Sequence, residues 1–239
     1  MFERTHHQRI AQILSLLNSD LLRAHDCYFG GGTAIALRYG EYRESVDMDF
    51  LVSDIKHYRD LRLLLSGRTG IHAILQPGQQ LVSQTRDIRA DQYGIRTTLA
   101  IADHPIKFEI VLEGRIALEA ATDNDRICNA STLTPLDMAA SKLLANSDRW
   151  ADAGVFNRDV IDLAMMQPST ALLKKAMDKA GQAYGASIQR DLIKAVDHLQ
   201  TKAGWLERCM TAMSMTTPKA VIWQHVKALK KSCTVQNPL

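Results

Sequence analysis

Two aspartates, Asp47 and Asp49, are two positions apart in a segment where apolar and polar residues alternate. This alternation over residues 45–52 predicts a β-strand, so both carboxylates should lie on the same face of a sheet. Neighbouring carboxylates repel each other unless a cation lies between them or one of them is protonated. Mg²⁺ is held by one or two carboxylates together with substrate phosphates, so the pair predicts a Mg²⁺ site, with Mn²⁺ as an alternative ion. A solvated strand face is the other interpretation, which the apolar run at 50–52 disfavours.

A run of three glycines upstream of this pair supplies a second candidate site. Gly30, Gly31 and Gly32 follow a strand-like stretch and precede a helical one, for which Thr33 is the expected N-cap. Glycine lets backbone N–H groups come close to a ligand, and a helix N-terminus favours an anion, so the terminal phosphates of a triphosphate would suit this turn. A tight turn that needs positive φ explains the glycines equally well. The run contains neither a dinucleotide fingerprint nor a P-loop.

A third acidic candidate, Glu109, lies in the alternating segment 106–112, on the same predicted face as Lys107. If that strand neighbours the one with Asp47 and Asp49, Glu109 would complete the metal shell and deprotonate an attacking hydroxyl. A salt bridge or a solvated edge position explains Glu109 as well.

The helical second half of the chain supplies the candidate cations. Lys142 lies beside the apolar stripe of a predicted helix that starts near residue 135, so it either extends to solvent or neutralises a triphosphate as a point charge. Asp159 and Asp162 are three residues apart and share one side of a later helix. One of these aspartates could orient Lys142 or Arg149, and the other would pair locally.

These residues together resemble a known family. Gly31-Gly32-Thr33, followed by Arg43-x-Ser45-x-Asp47-x-Asp49-Phe50, resembles the AbiEii/AbiGii toxin family of nucleotidyltransferases, within the DNA polymerase β-like superfamily. The resemblance continues through a helix with a lysine and an arginine and then an Arg-Asp-x-x-Asp-Leu segment, which here are Lys142, Arg149 and residues 158–163. It departs from the usual family pattern in its third glycine and in Met48, where isoleucine is usual.

The resemblance implies an α+β fold, with a polymerase-β-like mixed sheet and helices followed by an all-helical C-terminal domain. It implies transfer of an NMP from an NTP to an acceptor hydroxyl, with RNA, especially a tRNA 3′ end, as the acceptor and a cognate antitoxin as partner. The implied catalytic residues are Asp47, Asp49, Glu109 and Lys142, of which the three carboxylates are also the metal ligands. The implied nucleotide-binding residues are Gly31, Gly32, Thr33, Ser45, Lys142, Arg149 and Asp159.

Two other functions remain open at this point. The first is a non-catalytic NTP-binding or protein-interaction module on the same scaffold, which the presence of both aspartates, the glycines and Lys142 disfavours. The second is an aminoglycoside-type nucleotidyltransferase that acts on a small molecule.

The elements that must position these residues change in character near residue 120. Helical spacing of apolar residues predicts a first helix over 4–24 and another over 56–65. Strand-like runs are predicted at 26–29, 45–52, 71–75, 81–85, 92–102 and 106–112, with a hairpin turn at Asp103-His104-Pro105. Almost everything after Pro135 has helical period. We therefore expect a nucleotidyltransferase α/β core over 1–120 and a helical domain over 121–239.

The composition is that of an ordinary globular protein, with 239 residues, 46% hydrophobic residues, 23% charged residues and a net charge of +3. No apolar run approaches the ~20 residues that span a bilayer, and the polar start predicts a cytoplasmic protein without a membrane segment. Four dispersed cysteines predict buried free thiols, and His6 and His7 are expected to be solvated. Lys219, Lys227, Lys230 and Lys231 form either a face for a phosphate backbone or a solvated helix surface.

Overall fold

The computed structural model describes residues 2–234 and divides the chain into two compact units. The first unit comprises the chain up to Glu41 together with Ser45–Thr134, and the second comprises Tyr42–Glu44 together with the chain from Pro135. The division therefore falls later than the residue near 120 expected from periodicity. The reason is that residues 121–134 return to the sheet, where Thr132 bridges Phe29 and the Leu133 N–H donates to the Phe29 carbonyl at 3.0 Å.

The first unit is a mixed sheet with helices. In chain order its elements are α1 (Thr5–Leu16), α2 (Ser19–Ala24), β1 (Tyr28–Gly30), α3 (Gly31–Arg38), β2 (Met48–Val52), α4 (Ile55–Leu65), a 3₁₀ turn (Gly70–Ile74), β3 (Val82–Gln84), β4 (Arg89–Ala90), β5 (Gly94–Ile101), β6 (His104–Leu112), β7 (Arg126–Ile127) and β8 (Ala130–Ser131). The predicted α+β fold is confirmed.

Within the described residues, the main sheet has the strand order β1-β2-β6-β5-β3, and β4 also pairs with β5. The β2–β6 pair is parallel, whereas β1–β2 and β5–β6 are antiparallel. Side chains that point into the core from three neighbouring strands are fully buried aromatic residues, namely Phe29, Phe50 and Phe108. The rings are tilted against each other, with centroids 5.3 Å apart for Phe29 and Phe50 and 5.4 Å apart for Phe50 and Phe108. The register of β2 and β6 sets Asp49 opposite Glu109.

The predicted elements are confirmed except at four places. The first helix breaks after Leu16, because the Asn18 side chain caps a second helix. Residues 71–75, predicted as a strand, form most of a 3₁₀ turn. The strand predicted over 45–52 begins only at Met48. The β5–β6 hairpin turns at Ala102 and Asp103, both with positive φ, so the predicted turn residues His104 and Pro105 already belong to β6.

The second unit is helical. Its elements are α5 (Pro135–Arg149), a 3₁₀ turn (Ala153–Val155), α6 (Arg158–Met165), α7 (Thr170–Tyr184), α8 (Ser187–Thr201), α9 (Trp205–Ala212) and α10 (Lys219–Thr234). Its core is built from the apolar faces of these helices and includes fully buried Leu143, Leu163, Leu192 and Val226. The helical C-terminal region predicted from periodicity is confirmed.

Two further expectations concern membranes and cysteines. Across residues 2–234, none of the helices combines the length and the apolar character that a bilayer crossing requires. Three of the four cysteines are buried free thiols as expected, but Cys128 is exposed.

Candidate active site

The turn between β1 and α3 brings the backbone against the Asp49 carboxylate. Gly31 opens α3 with φ +66, a left-handed conformation that glycine adopts without strain. A Cβ atom placed on Gly31 would lie 2.5 Å from Asp49 Oδ2 and 2.9 Å from Asp49 Cβ. Glycine is therefore required here both by the backbone conformation and by the close approach of Asp49. The carboxylate lies beside the first residue of an α-helix.

The segment that leads into β2 is held by the side chain of Thr33. Thr33 is 1% exposed, and its hydroxyl lies 2.5 Å from the Asp47 carbonyl oxygen and 2.8 Å from Ser45 Oγ. The expectation that Thr33 caps α3 is wrong, because α3 begins at Gly31 and the Thr33 hydroxyl contacts the later loop instead. The contact of Thr33 and Ser45 with a nucleotide stays a prediction.

Glu109 lies on the strand next to Asp49, as the prediction required. Strands β2 and β6 are parallel, and Asp49 and Glu109 are direct partners in their register. The Arg96 Nε–H donates to Glu109 Oε1 at 2.6 Å, and Lys107 Nζ lies 3.1 Å from Glu109 Oε2. Both oxygens of Glu109 therefore have basic partners. Within residues 2–234, no three His, Cys, Asp or Glu side chains converge closely enough to hold a metal ion.

Lys107 is the cation that this arrangement adds to the predicted site. Burial lowers its pKa, but the hydrogen bond and charge of Glu109 and the charges of Asp47 and Asp49 outweigh that effect, so the pKa is raised. Its ammonium group therefore balances the carboxylates of the site. The sequence signal was available, because Lys107 and Glu109 alternate onto one face of the same strand.

In the helical unit, Lys142 lies inside a cluster of charged groups and is only 6% exposed. Lys142 Nζ is 3.0 Å from Asp159 Oδ1 and 2.7 Å from Asp162 Oδ2. The interpretation that Lys142 extends to solvent is therefore wrong. Both aspartates contact Lys142, whereas the sequence suggested that one of them would pair only locally.

Asp162 is the centre of this cluster and is completely buried. It accepts hydrogen bonds from Arg43 Nε at 2.7 Å, from Arg43 Nη2 at 2.9 Å and from the Tyr42 hydroxyl at 2.6 Å. Burial raises the pKa of Asp162, but the charges of Arg43 and Lys142 and their hydrogen bonds outweigh burial and hold the pKa well below its usual range. Asp162 is therefore ionised at neutral pH.

Arg149 reaches the same cluster from its more exposed side. Its Nε–H donates to Asp159 Oδ2 at 2.7 Å and its Nη2 to Asp159 Oδ1 at 3.0 Å, and 36% of its side chain is exposed. The hydrogen bond to Asp159, opposed by burial and reinforced by the carboxylate charge, raises the pKa of Arg149. Of these two predicted cations, Arg149 thus keeps part of its side chain exposed, whereas the side chain of Lys142 is buried.

Asp159 is positioned by an unusual entry into α6. Phe156 and Asn157 both have positive φ, which is uncommon for residues other than glycine. The buried Asn157 side chain donates to the Trp150 carbonyl at 2.9 Å and accepts from Trp205 Nε1 at 2.7 Å. These two bonds satisfy the amide, and they fix the start of the helix that carries Asp159.

The predicted basic face of the C-terminal helix has local partners. Lys219 contacts Glu207, Lys230 contacts Asp197, and Lys227 Nζ lies 5.4 Å from the centroid of the Trp223 ring. Much of this charge is therefore compensated within the helical unit.

One family model matches most of the sequence, and two solved structures have a similar fold. The sequence matches the model of the nucleotidyl transferase AbiEii toxin, type IV toxin–antitoxin system, over residues 12–229. The fold is similar to that of JHP933 from Helicobacter pylori, with a TM-score of 0.50, 16% identity, and coverage of 99% of this chain and 96% of that chain. It is also similar to a candidate nucleotidyltransferase from H. pylori, with a TM-score of 0.49, 17% identity, and coverage of 98% and 97%.

At such identities the likeness to solved structures concerns the fold alone, and no curated protein matches the sequence. The family model, in contrast, spans most of the chain. The matched residues include the glycine turn, Asp47 and Asp49, and the charged cluster of the helical unit. The chain therefore belongs to the AbiEii nucleotidyl transferase toxin family.

Proposed function

We propose that this nucleotidyltransferase moves an NMP from an NTP to a hydroxyl of an RNA acceptor, such as a tRNA 3′ end, in a metal-dependent reaction. Family membership supports the transferase activity, the toxin role and a cognate antitoxin as partner. The observation that carries the rest is the contact of the Asp49 carboxylate with Gly31 at the start of α3. It brings together a carboxylate and a helix N-terminus, so a metal–triphosphate complex would find ligands for both of its parts.

The residues of this site fit Mg²⁺ or Mn²⁺. Asp47 and Asp49 are hard oxygen ligands of the type and number that Mg²⁺ uses when phosphates supply the remaining oxygens. When bound, the ion would neutralise phosphate charge and lower the pKa of the acceptor hydroxyl. The charges of Asp47 and Asp49 raise the pKa of Lys107, and the Lys107 ammonium group would limit the repulsion between the two carboxylates in the absence of the metal ion.

The protein's own groups have distinct roles in this proposal. Backbone N–H groups at Gly31 and Gly32 would bind the terminal phosphates at the positive end of α3. Glu109 would accept the proton of the acceptor hydroxyl after Arg96 or Lys107 has moved away from one of the Glu109 oxygens. Glu109 could act as a third metal ligand only after the same contact has been broken. Lys142 and Arg149 would balance the charge that develops during transfer, with Arg149 the more accessible of the two.

The test is incubation with each NTP labelled at its α-phosphate, Mg²⁺ and total RNA, followed by a denaturing gel. The label should move onto RNA with one preferred NTP, and a chelator should abolish the transfer. Pyrophosphate release distinguishes an enzyme from a protein that only binds NTP. A parallel reaction with aminoglycosides tests the small-molecule alternative, and labelling of the drug instead of the RNA would contradict the RNA acceptor.

Gly31→Ala should lower transfer about a hundredfold, because its Cβ must displace the Asp49 carboxylate, and displacements of ~1 Å cost about that factor. Gly40→Ala is the matched control. Gly40 also has positive φ, at +85, but a Cβ there meets nothing within 4 Å. Both variants should lose about 1–2 kcal/mol of stability from the left-handed alanine. Equal transfer by the two variants would show that the contact with Asp49 is unimportant.

A further inference from the structure

Two adjacent histidines on α1 contact the segment that leads to Asp47. His6 Nε2 lies 3.0 Å from the Val46 carbonyl oxygen, and His7 Nε2 lies 3.1 Å from the Ser45 backbone nitrogen. The expectation that both histidines are solvated is wrong for His7, which is completely buried. His7 lies on the buried face of α1 together with Ile10 and Leu14. The helical spacing of these three residues in the sequence already indicated that His7 faces the core.

The partners determine which nitrogen of each ring carries the proton. A carbonyl oxygen only accepts, so His6 Nε2 must be protonated to bond with Val46. A backbone N–H only donates, so His7 Nε2 must be unprotonated to accept from Ser45. The proton of neutral His7 is then on Nδ1, from which it is donated to Glu41 Oε1 at 2.7 Å. The two histidines therefore have opposite tautomers at the ring nitrogens that face this segment.

Glu41 holds the His7 ring in this tautomer. Its carboxylate also accepts from the backbone nitrogens of Glu3, at 2.7 Å, and Arg4, at 3.3 Å. Partial burial raises the pKa of Glu41, but these backbone bonds and His7 outweigh it, so the pKa is lowered and the group is ionised. A carboxylate that accepts the Nδ1 proton leaves Nε2 free to accept from Ser45.

The segment needs such support because β2 begins only at Met48, after Asp47. The backbone of residues 45–47 is bonded instead to side chains, namely His7 at the Ser45 nitrogen, His6 at the Val46 oxygen and Thr33 at the Asp47 oxygen. We propose that His7 is a positioning residue, whose bond to the Ser45 backbone fixes Asp47 beside the glycine turn. The catalytic part of this inference rests on the proposed function, since only there does Asp47 hold the metal.

Protonation of His7 would remove the bond, since a doubly protonated ring offers no acceptor to Ser45. Burial lowers the pKa of His7 against the opposing effect of Glu41, and the charges of Arg4 and His6 lower it further. Because the folded pKa is depressed, the bond is fully present above the ordinary value of 6.5 and is lost as pH falls through the folded pKa.

Two variants of nearly equal polarity separate the two ring nitrogens. His7→Gln places an amide oxygen near the position of Nε2 and can still accept from Ser45, whereas His7→Asn reaches only the position of Nδ1. We expect hydrogen exchange of the Ser45 amide to be about tenfold faster in His7→Asn than in His7→Gln, as follows from the loss of one hydrogen bond. Transfer should follow the same order, with kcat about tenfold lower in His7→Asn and the KM for NTP little changed.

The wild-type protein gives an independent measurement that needs no variant to fold. ¹⁵N NMR of the imidazoles near neutral pH should show His7 Nε2 unprotonated and His6 Nε2 protonated. A protonated His7 Nε2, or equal Ser45 exchange in the two variants, would overturn the proposal. Exchange and NMR require neither NTP nor metal, so a failure of transfer in the wild type would count against the proposed function and not against the positioning contact. In the wild type, kcat should also fall as the pH drops through the folded pKa of His7, because protonation removes the bond to Ser45. His7→Gln has no ring to protonate and should lack this step, so its retention would contradict the role of His7.

Discussion

Asp49→Asn should lower kcat/KM for NMP transfer by about a thousandfold or more while the protein remains folded. The amide keeps the size of the carboxylate, so the close contact with Gly31 is preserved. The substitution removes a negatively charged oxygen ligand and should therefore weaken metal binding. The metal stabilises the transition state of phosphoryl transfer by several kcal/mol, and this stabilisation would be lost. By transition-state arithmetic, about 4 kcal/mol corresponds to a factor of about a thousand. The measurement is transfer of the α-labelled phosphate at saturating and subsaturating NTP.

Asp60→Asn is the matched control for this variant, because Asp60 is an exposed aspartate on α4 in the same unit. It should transfer at the wild-type rate, as surface substitutions of this kind change stability by only about 0.5 kcal/mol. Full transfer by a folded Asp49→Asn protein would refute the proposal that Asp49 is a metal ligand. Binding of NTP without turnover in the wild type would favour the non-catalytic alternative.

Asp162→Asn should destabilise the protein by about 3–5 kcal/mol, since it leaves buried cations without their shared carboxylate. Arg43 donates twice to Asp162, and Lys142 lies 2.7 Å from its second oxygen. Lys142 retains Asp159, but Arg43 would face a neutral amide. Urea unfolding measures the change, with a lower midpoint expected at an unchanged slope.

Asp178→Asn, at an exposed position of α7, provides the comparison and should change the unfolding free energy by less than about 0.5 kcal/mol.

The pH dependence of the unfolding free energy supplies a second test of the role of Asp162. Because the folded pKa of Asp162 lies below its ordinary 3.8, its contribution is present above that value and is lost as pH falls through the folded pKa. The difference between wild type and Asp162→Asn should therefore shrink on acidification. A loss below about 1 kcal/mol at neutral pH would mean that Arg43 finds another partner.

Local pattern was enough to predict that Asp49 and Glu109 lie on neighbouring strands, whereas their binding of a metal stays a prediction. The alternation in 106–112 and the Asp-x-Asp spacing predicted two strands with carboxylates on matching faces, and the observed register makes Asp49 and Glu109 neighbours. Such predictions succeed because a strand's period of two fixes the face of each side chain without knowledge of distant residues. The pairing of Glu109 with Arg96 was not predictable, because the partner comes from another strand.

The features that sequence reasoning missed depend on contacts between residues far apart in the chain. The sequence left Lys142 either extended to solvent or placed at a triphosphate. Only its aspartate partners, one of them shared with Arg43, explain why its ammonium group is buried. Strand β2 is shorter than the alternation over 45–52 suggested, because the backbone of residues 45–47 forms hydrogen bonds to side chains of α1 and α3. In each case a specific long-range partner overrides a local preference.

The contribution of Tyr42–Glu44 to the helical unit has a consequence for synthesis of the chain. Arg43 leaves the ribosome early, but its partner Asp162 follows 119 residues later, so the guanidinium must stay solvated until α6 has been made. In a nascent chain that stops before Pro135, Tyr42–Glu44 therefore have no helical unit to pack into. The same dependence applies to a fragment that starts at Pro135, in which Asp162 would be buried without Arg43. Completion of the helical unit is thus a late event in translation, and a toxin chain released prematurely lacks its charged cluster.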